Sequence, residues 1–207
     1  MWHSPSGMLR WSLLAVAYAS MAALALFVSE FWFDRPAWAH PEPWFDMPKS
    51  VAHVYSAALG IALGGLVVVV TRRLVERATW AQELARALKP FARDLTGTGI
   101  VVVAVLSSVG EEFLFRGLLE PWLGLWLQAV LFGLLHQMRG PSRWAWAVWA
   151  GIVGLLFGVL FVPTGSFVGP ILAHAVINGF NLNYLQSHDP ELPRRGLGGL
   201  LGQRSRA

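Results

Sequence analysis

The chain has 207 residues, 55% of them hydrophobic and only 14% charged, with eleven tryptophans, no cysteine and a formal net charge of +4. A soluble domain carries about 25% charged residues, so this composition points to a multi-span membrane protein with no room for a separate soluble domain. The missing cysteines exclude disulfides, thiolate metal sites and a cysteine nucleophile. Basic residues that gather beside apolar runs, not among exposed aromatics, argue against nucleic acid as a partner.

Six apolar stretches come near the roughly 20 residues a helix needs to cross a bilayer core. They run 9–29, 51–70, 97–117, 122–138, 143–162 and 167–187. The first exceeds the roughly 7–15 apolar residues of a signal-peptide core, and its basic flank is Arg10 alone, so it reads as a retained anchor. The loop 33–48 holds Pro36, Pro41, Pro43 and Pro48 and is expected to be irregular. After the second stretch, Trp80, Leu84, Leu88, Phe91 and Leu95 recur near helical spacing, with Gln82, Arg86, Lys89 and Arg93 on other faces. That pattern predicts either an amphipathic helix on an anionic lipid surface or a solvated linker helix. Gly60/Gly64 and Gly154/Gly158 are small pairs that let helices approach, or ordinary small residues in crowded spans.

The fold class expected is therefore all-α, a polytopic membrane bundle of about six transmembrane helices plus one interfacial amphipathic helix. The organisation expected is a transmembrane hairpin over 1–79, the interfacial helix over 80–96, a helical core over 97–187 and a disordered tail over 188–207. Orientation follows from the basic residues of the short loops. With the N-terminus in the cytoplasm, the inner side collects Arg10, Arg72, Arg73, Arg77, Arg86, Lys89, Arg93, Arg139, Arg143, Arg194, Arg195, Arg204 and Arg206. The outer side has only Arg35 and Lys49. Trp11, Trp32, Trp38, Trp44, Trp122, Trp144 and Trp146 fall where headgroup belts are expected. The reading is a multi-pass cell-membrane protein, in a bacterial inner membrane, with both termini cytoplasmic and membrane lipid around it.

The segment Ser107–Arg116 sets Glu111, Glu112 and Arg116 inside an apolar run. Each charge at a bilayer centre costs roughly 2.5–3.5 kcal/mol on insertion scales, so these groups must pair or face a wet cavity. Residues four apart share a helix face, which lets Glu112 reach Arg116. Glu111 is turned about 100° away, free to face the bundle. The fourth stretch ends in Phe132-Gly-Leu-Leu-His136, and the sixth contains His174-Ala-Val-Ile-Asn178, whose two polar side chains project together. A carboxylate beside an imidazole takes a proton from water, and an imidazole with a carboxamide donates to an oxyanion. Each piece also has a structural reading: a buried ion pair, an interfacial histidine, a hydrogen bond between helices. Their coincidence in three spans points to a site.

Glu-Glu-x-x-x-Arg, Phe-x-x-x-His and His-x-x-x-Asn, in this order over about residues 97–187, resemble the CAAX-protease and bacteriocin-processing (Abi) family of intramembrane endopeptidases. Arg116-Gly117, the stretch from Gly158 to Phe167 and Pro170 to His174 extend the likeness; the first two spans show none. The resemblance implies a glutamate-dependent protease of membrane-anchored protein or peptide substrates. It implies that Glu111 and His136 activate water, that His174 and Asn178 form the oxyanion site, and that Arg116 holds Glu112. Two histidines and a carboxylate also suit zinc; the reading favours no metal and no cofactor, because Asn178 fits a donor better than a ligand. The sequence has no His-Glu-x-x-His and no Gly-x-Ser-x-Gly, and Asp34, Asp46, Asp94 and Asp189 all fall outside the spans.

The alternative is a non-catalytic immunity or scaffold protein, or a small proton-coupled transporter. Prenylated C-termini, leader peptides and C-terminal sorting tags all remain open as substrates. Straight spans separate His136 in depth from Glu111, unless a boundary shifts by a turn or the fourth span is tilted, broken or set back at the Pro121-Trp122 corner. Glu111 and His174 in the outer halves of their spans hint at a site that opens outward.

Overall fold

Apolar runs with few glycines and prolines inside them favour long helices, and the computed structural model is built from them. It describes residues 5–138 and 140–188, the side chains of 5–12 aside. The order is α1 (Pro5–Phe33), α2 (Lys49–Arg77), α3 (Thr79–Arg93), α4 (Gly97–Glu112), a π-helical segment (Phe113–Leu119), α5 (Glu120–Leu135), α6 (Arg143–Thr164) and α7 (Val168–Ser187). No strand occurs among the described residues beyond one bridge between Ala39 and Ser166. Beyond His188 the expected tail lies outside the described residues.

All six stretches expected to span are helical. Four helical runs are long and apolar enough to cross a membrane: Leu13–Phe33, Lys49–Arg77, Gly97–Leu135 and Arg143–Thr164. The third run contains both the third and the fourth expected spans. The sixth, α7, has the length, but His174, Asn178 and Asn181 lower its hydropathy. The protein is a multi-pass helical membrane bundle.

The corner between the third and fourth spans sets the depth of the site. Pro121 has no N–H to give the carbonyl four residues earlier, Gly117. The helix widens there into the π segment, and the freed carbonyls find donors elsewhere. Ser29 Oγ and Arg35 Nη1 donate to Gly117 O at 3.1 and 2.9 Å, and Arg35 Nη2 donates to Leu118 O at 3.0 Å. The turn itself comes at Gly124, whose φ of 82° suits glycine. At about 1.5 Å per residue, Glu111 stands about 21 Å along the helix from Gly97, and the descent from Gly124 returns His136 to about that level. The fourth span is thus shorter than the expected 122–138 and reaches only part-way down, which removes the mismatch that straight spans imply.

Helix α2 runs parallel to α7 at very close range. A Cβ on Gly60 would meet Gly169 O at 2.3 Å, and one on Gly64 would meet Ala173 O at 3.0 Å. Gly154 and Gly158 likewise lie against Phe132 and against Leu125, Glu120 and Gln128. The amphipathic α3 buries Ala81, Ala85 and Ala92 against Val75 of α2 and Leu185 of α7. Its Glu83 accepts a hydrogen bond from Ser142, which precedes α6. The loop 34–48 is irregular as expected, and it covers the end of α6, with Trp44 N and Phe45 N donating to Val162 O and Pro163 O. Trp32, Trp38, Trp44, Trp122 and Trp144 are exposed as belt residues should be. Trp146 instead faces inward, edge-on to His136.

Candidate active site

Four helices meet around the two carboxylates, and the two divide as the spacing predicts. Glu112 and Arg116 are fully buried, with Arg116 Nε 3.2 Å from Glu112 Oε2 and Nη1 donating to Oε1 at 3.3 Å. Arg116 Nη2 donates to Gly154 O of α6 at 2.6 Å. Its guanidinium lies over the rings of Phe132 and Phe157, 4.8 and 5.1 Å from their centroids. An arginine at this depth is tolerated because a carboxylate, a carbonyl and aromatic faces replace its water.

Glu112 also takes His174, whose Nδ1 lies 2.7 Å from Oε1. The His174 ring stacks on Phe157 at 5.0 Å. An ionised carboxylate only accepts, so His174 Nδ1 carries a proton and Nε2 is turned to the other side. There it meets Glu111 Oε2 at 3.8 Å. His136 is arranged in the same way from α5. Its Nδ1 donates to Phe132 O at 2.7 Å, and Nε2 lies 3.5 Å from the same Glu111 oxygen. Two imidazole Nε2 atoms thus face one carboxylate oxygen that has no hydrogen-bond partner of its own. Two neutral lone pairs beside a carboxylate repel it. One proton shared among the three groups makes the set attractive.

Asn178, one turn beyond His174, donates to Ser107 Oγ at 3.0 Å. Its amide has a second N–H to offer. Ser107 of α4, for which the sequence suggests no role, is what fixes this amide. Glu111, His136, His174 and Asn178 all line one cavity of about 280 Å³. The cavity runs from Glu111 towards the α3 end, past Ser107, Trp80, Leu84 and Asn181. No residue of the loop 34–48 lines it. The cavity thus extends away from the end of the bundle that carries the loop 34–48. Sequence reasoning missed the α2 and α3 contributions to the wall, although Asn181 extends the 174/178 face and offered a signal. Among the described residues, no three His, Asp or Glu side chains form a group fit to hold a metal ion.

Fold and site together define a polytopic membrane protein with a buried glutamate–histidine–asparagine centre at the head of an internal cavity. Residues 95–180 match the family described as Rce1-like, type II CAAX prenyl endopeptidase. A stretch of 79 residues is 33% identical to "Uncharacterized protein YpbD" of Bacillus subtilis (strain 168), covering 38% of this chain and 41% of that protein. No solved structure matches the chain. The three motifs named above all lie inside the matched segment.

Proposed function

We propose that the chain is an intramembrane endopeptidase that hydrolyses a peptide bond of membrane-anchored or C-terminally tagged proteins without a metal. The observation that supports this most is the convergence of two imidazole Nε2 atoms on Glu111 Oε2, at 3.5 and 3.8 Å, at the head of a cavity. A water bound on the cavity side of Glu111 and His136 gives up one proton to them as its oxygen attacks the scissile carbonyl carbon. The oxyanion that forms is met by the free N–H of Asn178 and by Nε2–H of His174 in its doubly protonated form, which Glu112 holds at Nδ1. As the C–N bond breaks, the proton passes to the leaving amine. Glu112 and Arg116 touch no reacting atom; they position His174 and α4.

The family's proteolytic character supports the same reading at a coarser level. The cavity mouth lies at the end that carries Arg72, Arg86 and Arg93, the cytoplasmic end by charge, in a bacterial inner membrane with both termini inside. That location favours substrates presented from the cytoplasmic face over exported ones. The test is Glu111→Gln in proteoliposomes. We expect cleavage to fall by about 10²–10⁴-fold, the usual share of a general base, with insertion unchanged and with wild-type cleavage indifferent to chelators. Full activity of the variant removes Glu111 from catalysis, and chelator inhibition removes the metal-free route.

A further inference from the structure

We propose that Glu120, the first residue of α5, keeps its proton and donates it in a hydrogen bond to Gln128 Oε1, and that this bond across the Gly124 corner positions His136. The bond itself is independent of the protease reading; only its effect on cleavage rests on that reading. Glu120 and Gln128 are buried, 2% and 0% exposed, and neither takes part in the hydrolysis proposed above. They stand on either side of Gly124, whose φ of 82° breaks the helix between them. Both reach one notch in α6. Glu120 Oε2 and Gln128 Nε2 lie 2.8 and 3.0 Å from the point where a Cβ on Gly158 would stand, so Gly158 makes room for the acid and the amide together.

A count of donors fixes the state of the acid. Gln128 Nε2 has two N–H groups, and it gives them to Leu125 O at 3.0 Å and Gly154 O at 3.4 Å. The guanidinium of Arg116 is committed to Glu112 and to the same Gly154 carbonyl. Three acceptor oxygens are left without a donor: Oε1 and Oε2 of Glu120, and Oε1 of Gln128. A carboxylate only accepts, so an ionised Glu120 would add charge to oxygens that already lack donors. Arg116 and Glu112, the charged groups whose fields reach Glu120, already neutralise one another. A proton on Glu120 removes the unpaired charge and supplies the missing donor, and the orphaned oxygen it serves is Gln128 Oε1.

Gln128, Phe132 and His136 recur every four residues and so share a face of α5. The Phe132 ring centroid lies 4.8 Å from Arg116 Cζ and 4.3 Å from the centroid of the His136 ring. Glycine gives the corner no stiffness of its own, so a tie between the residues before and after it sets the direction in which α5 descends. The same tie keeps the Gln128 N–H groups on Gly154 O; turned over, the amide oxygen would face that carbonyl and repel it. Glu120 is therefore a positioning residue. It touches no reacting atom and acts on His136 through Gln128 and α5.

The test uses the full chain in nanodiscs near neutral pH. Infrared spectra of the unaltered protein and of Glu120→Gln are subtracted. We expect the carbonyl band of a neutral carboxyl group in the unaltered protein and its loss in the variant; a carboxylate band in its place overturns the proposal. The imidazole nitrogen resonances of His136, assigned through His136→Gln, report its position without any turnover. Glu120→Leu removes the bond and should shift them, whereas Glu120→Gln, whose amide N–H still donates to Gln128 Oε1, should restore them. Unshifted resonances in Glu120→Leu, or equal shifts in both variants, overturn the proposal. Should Glu120→Leu fail to fold, Gly158→Ala, whose methyl group parts the pair, takes its place. In cleavage, Glu120→Leu should lower kcat about tenfold at unchanged KM, the share of one buried hydrogen bond, and Glu120→Gln should recover most of that loss. A loss that Glu120→Gln shares in full overturns the proposal. No cleavage by the unaltered protein, beside the expected infrared band and His136 shift, defeats the protease reading and leaves the Glu120 bond standing.

Discussion

In the apolar 18-residue window of the run Gly97–Leu135 half of the residues are buried inside the bundle, against 11% in that of the α1 run Leu13–Phe33. The two regions also use polar side chains in opposite ways. Between α4 and α7, charged and imidazole groups from different helices pair with one another, as Glu112 does with Arg116 and His174. In α1, α2 and the loop between them, polar groups reach the backbone of the other region. Ser29 and Arg35 take carbonyls of the π segment, and Ser56 Oγ accepts from Gly169 N at 3.0 Å. The matched segment is confined to the region whose side chains pair with each other. The candidate site lies there, and the N-terminal region packs against the helices that carry it.

The largest effect should come from breaking the pairing region. Arg116→Leu leaves Glu112 buried without its cation, and removing one partner of a buried pair costs about 3–5 kcal/mol. Thermal unfolding in detergent checks this. The double variant Glu112→Gln/Arg116→Leu should be more stable than Arg116→Leu alone, and failure of that rescue shows that Arg116 acts through Gly154 and the aromatic rings instead.

Next comes the contact between the regions. Gly60→Val forces a side chain onto the Gly169 carbonyl, and overpacking of this kind costs about 1–3 kcal/mol. It pushes α7, and His174 with it, away from Glu111, so activity should fall further than stability. The control is Gly65→Ala, five residues along α2, where nothing lies within 4 Å. There helix propensity alone acts and should add up to about 1 kcal/mol. Arg35→Gln sharpens the comparison further. It strips donors from Gly117 O and Leu118 O at a cost of about 1–3 kcal/mol. If the N-terminal region positions the centre, kcat falls while KM holds; a fall in stability alone would make the clamp merely structural.

The sequence made the pairing region legible because its signals are local. An i, i+4 spacing places Glu112 on Arg116, a rotation of about 100° frees Glu111, and His174 and Asn178 share a face. The helices and the amphipathic α3 were legible for the same reason. The depth of His136 was not, because it depends on Pro121 removing one donor and Gly124 taking a φ of 82°, inside an apolar run that reads as continuous. Nor was the role of Arg35. It is an outer-loop cation by position, and only the fold shows that the carbonyls orphaned upstream of Pro121 lie within its reach.

The smallest effect expected lies in the loop that joins the two regions, and it is a pH effect. His40 packs edge-on to Phe161 of α6, and its backbone N–H donates to Gly165 O at 3.3 Å. Burial is the main cause that holds its pKa below the usual 6.5, and the Arg35 charge works in the same direction. The Glu42 N–H that reaches His40 Nδ1 at 3.1 Å needs that nitrogen unprotonated. The folded state therefore binds this proton less readily than the unfolded chain does. Stability should fall as pH drops below the unfolded value of about 6.5, and level off once the folded ring is itself protonated. Because His40 is only half-buried, solvent screens the effect and it should stay below roughly 1 kcal/mol. Thermal unfolding between pH 7.5 and 5, compared with His40→Gln, isolates it: the difference should narrow towards low pH. Since the loop caps α6 and its Arg35 holds the π segment, acid should also slow cleavage through this loop, and His40→Gln should remove that part of the pH profile while leaving the part owed to Glu111 and His136.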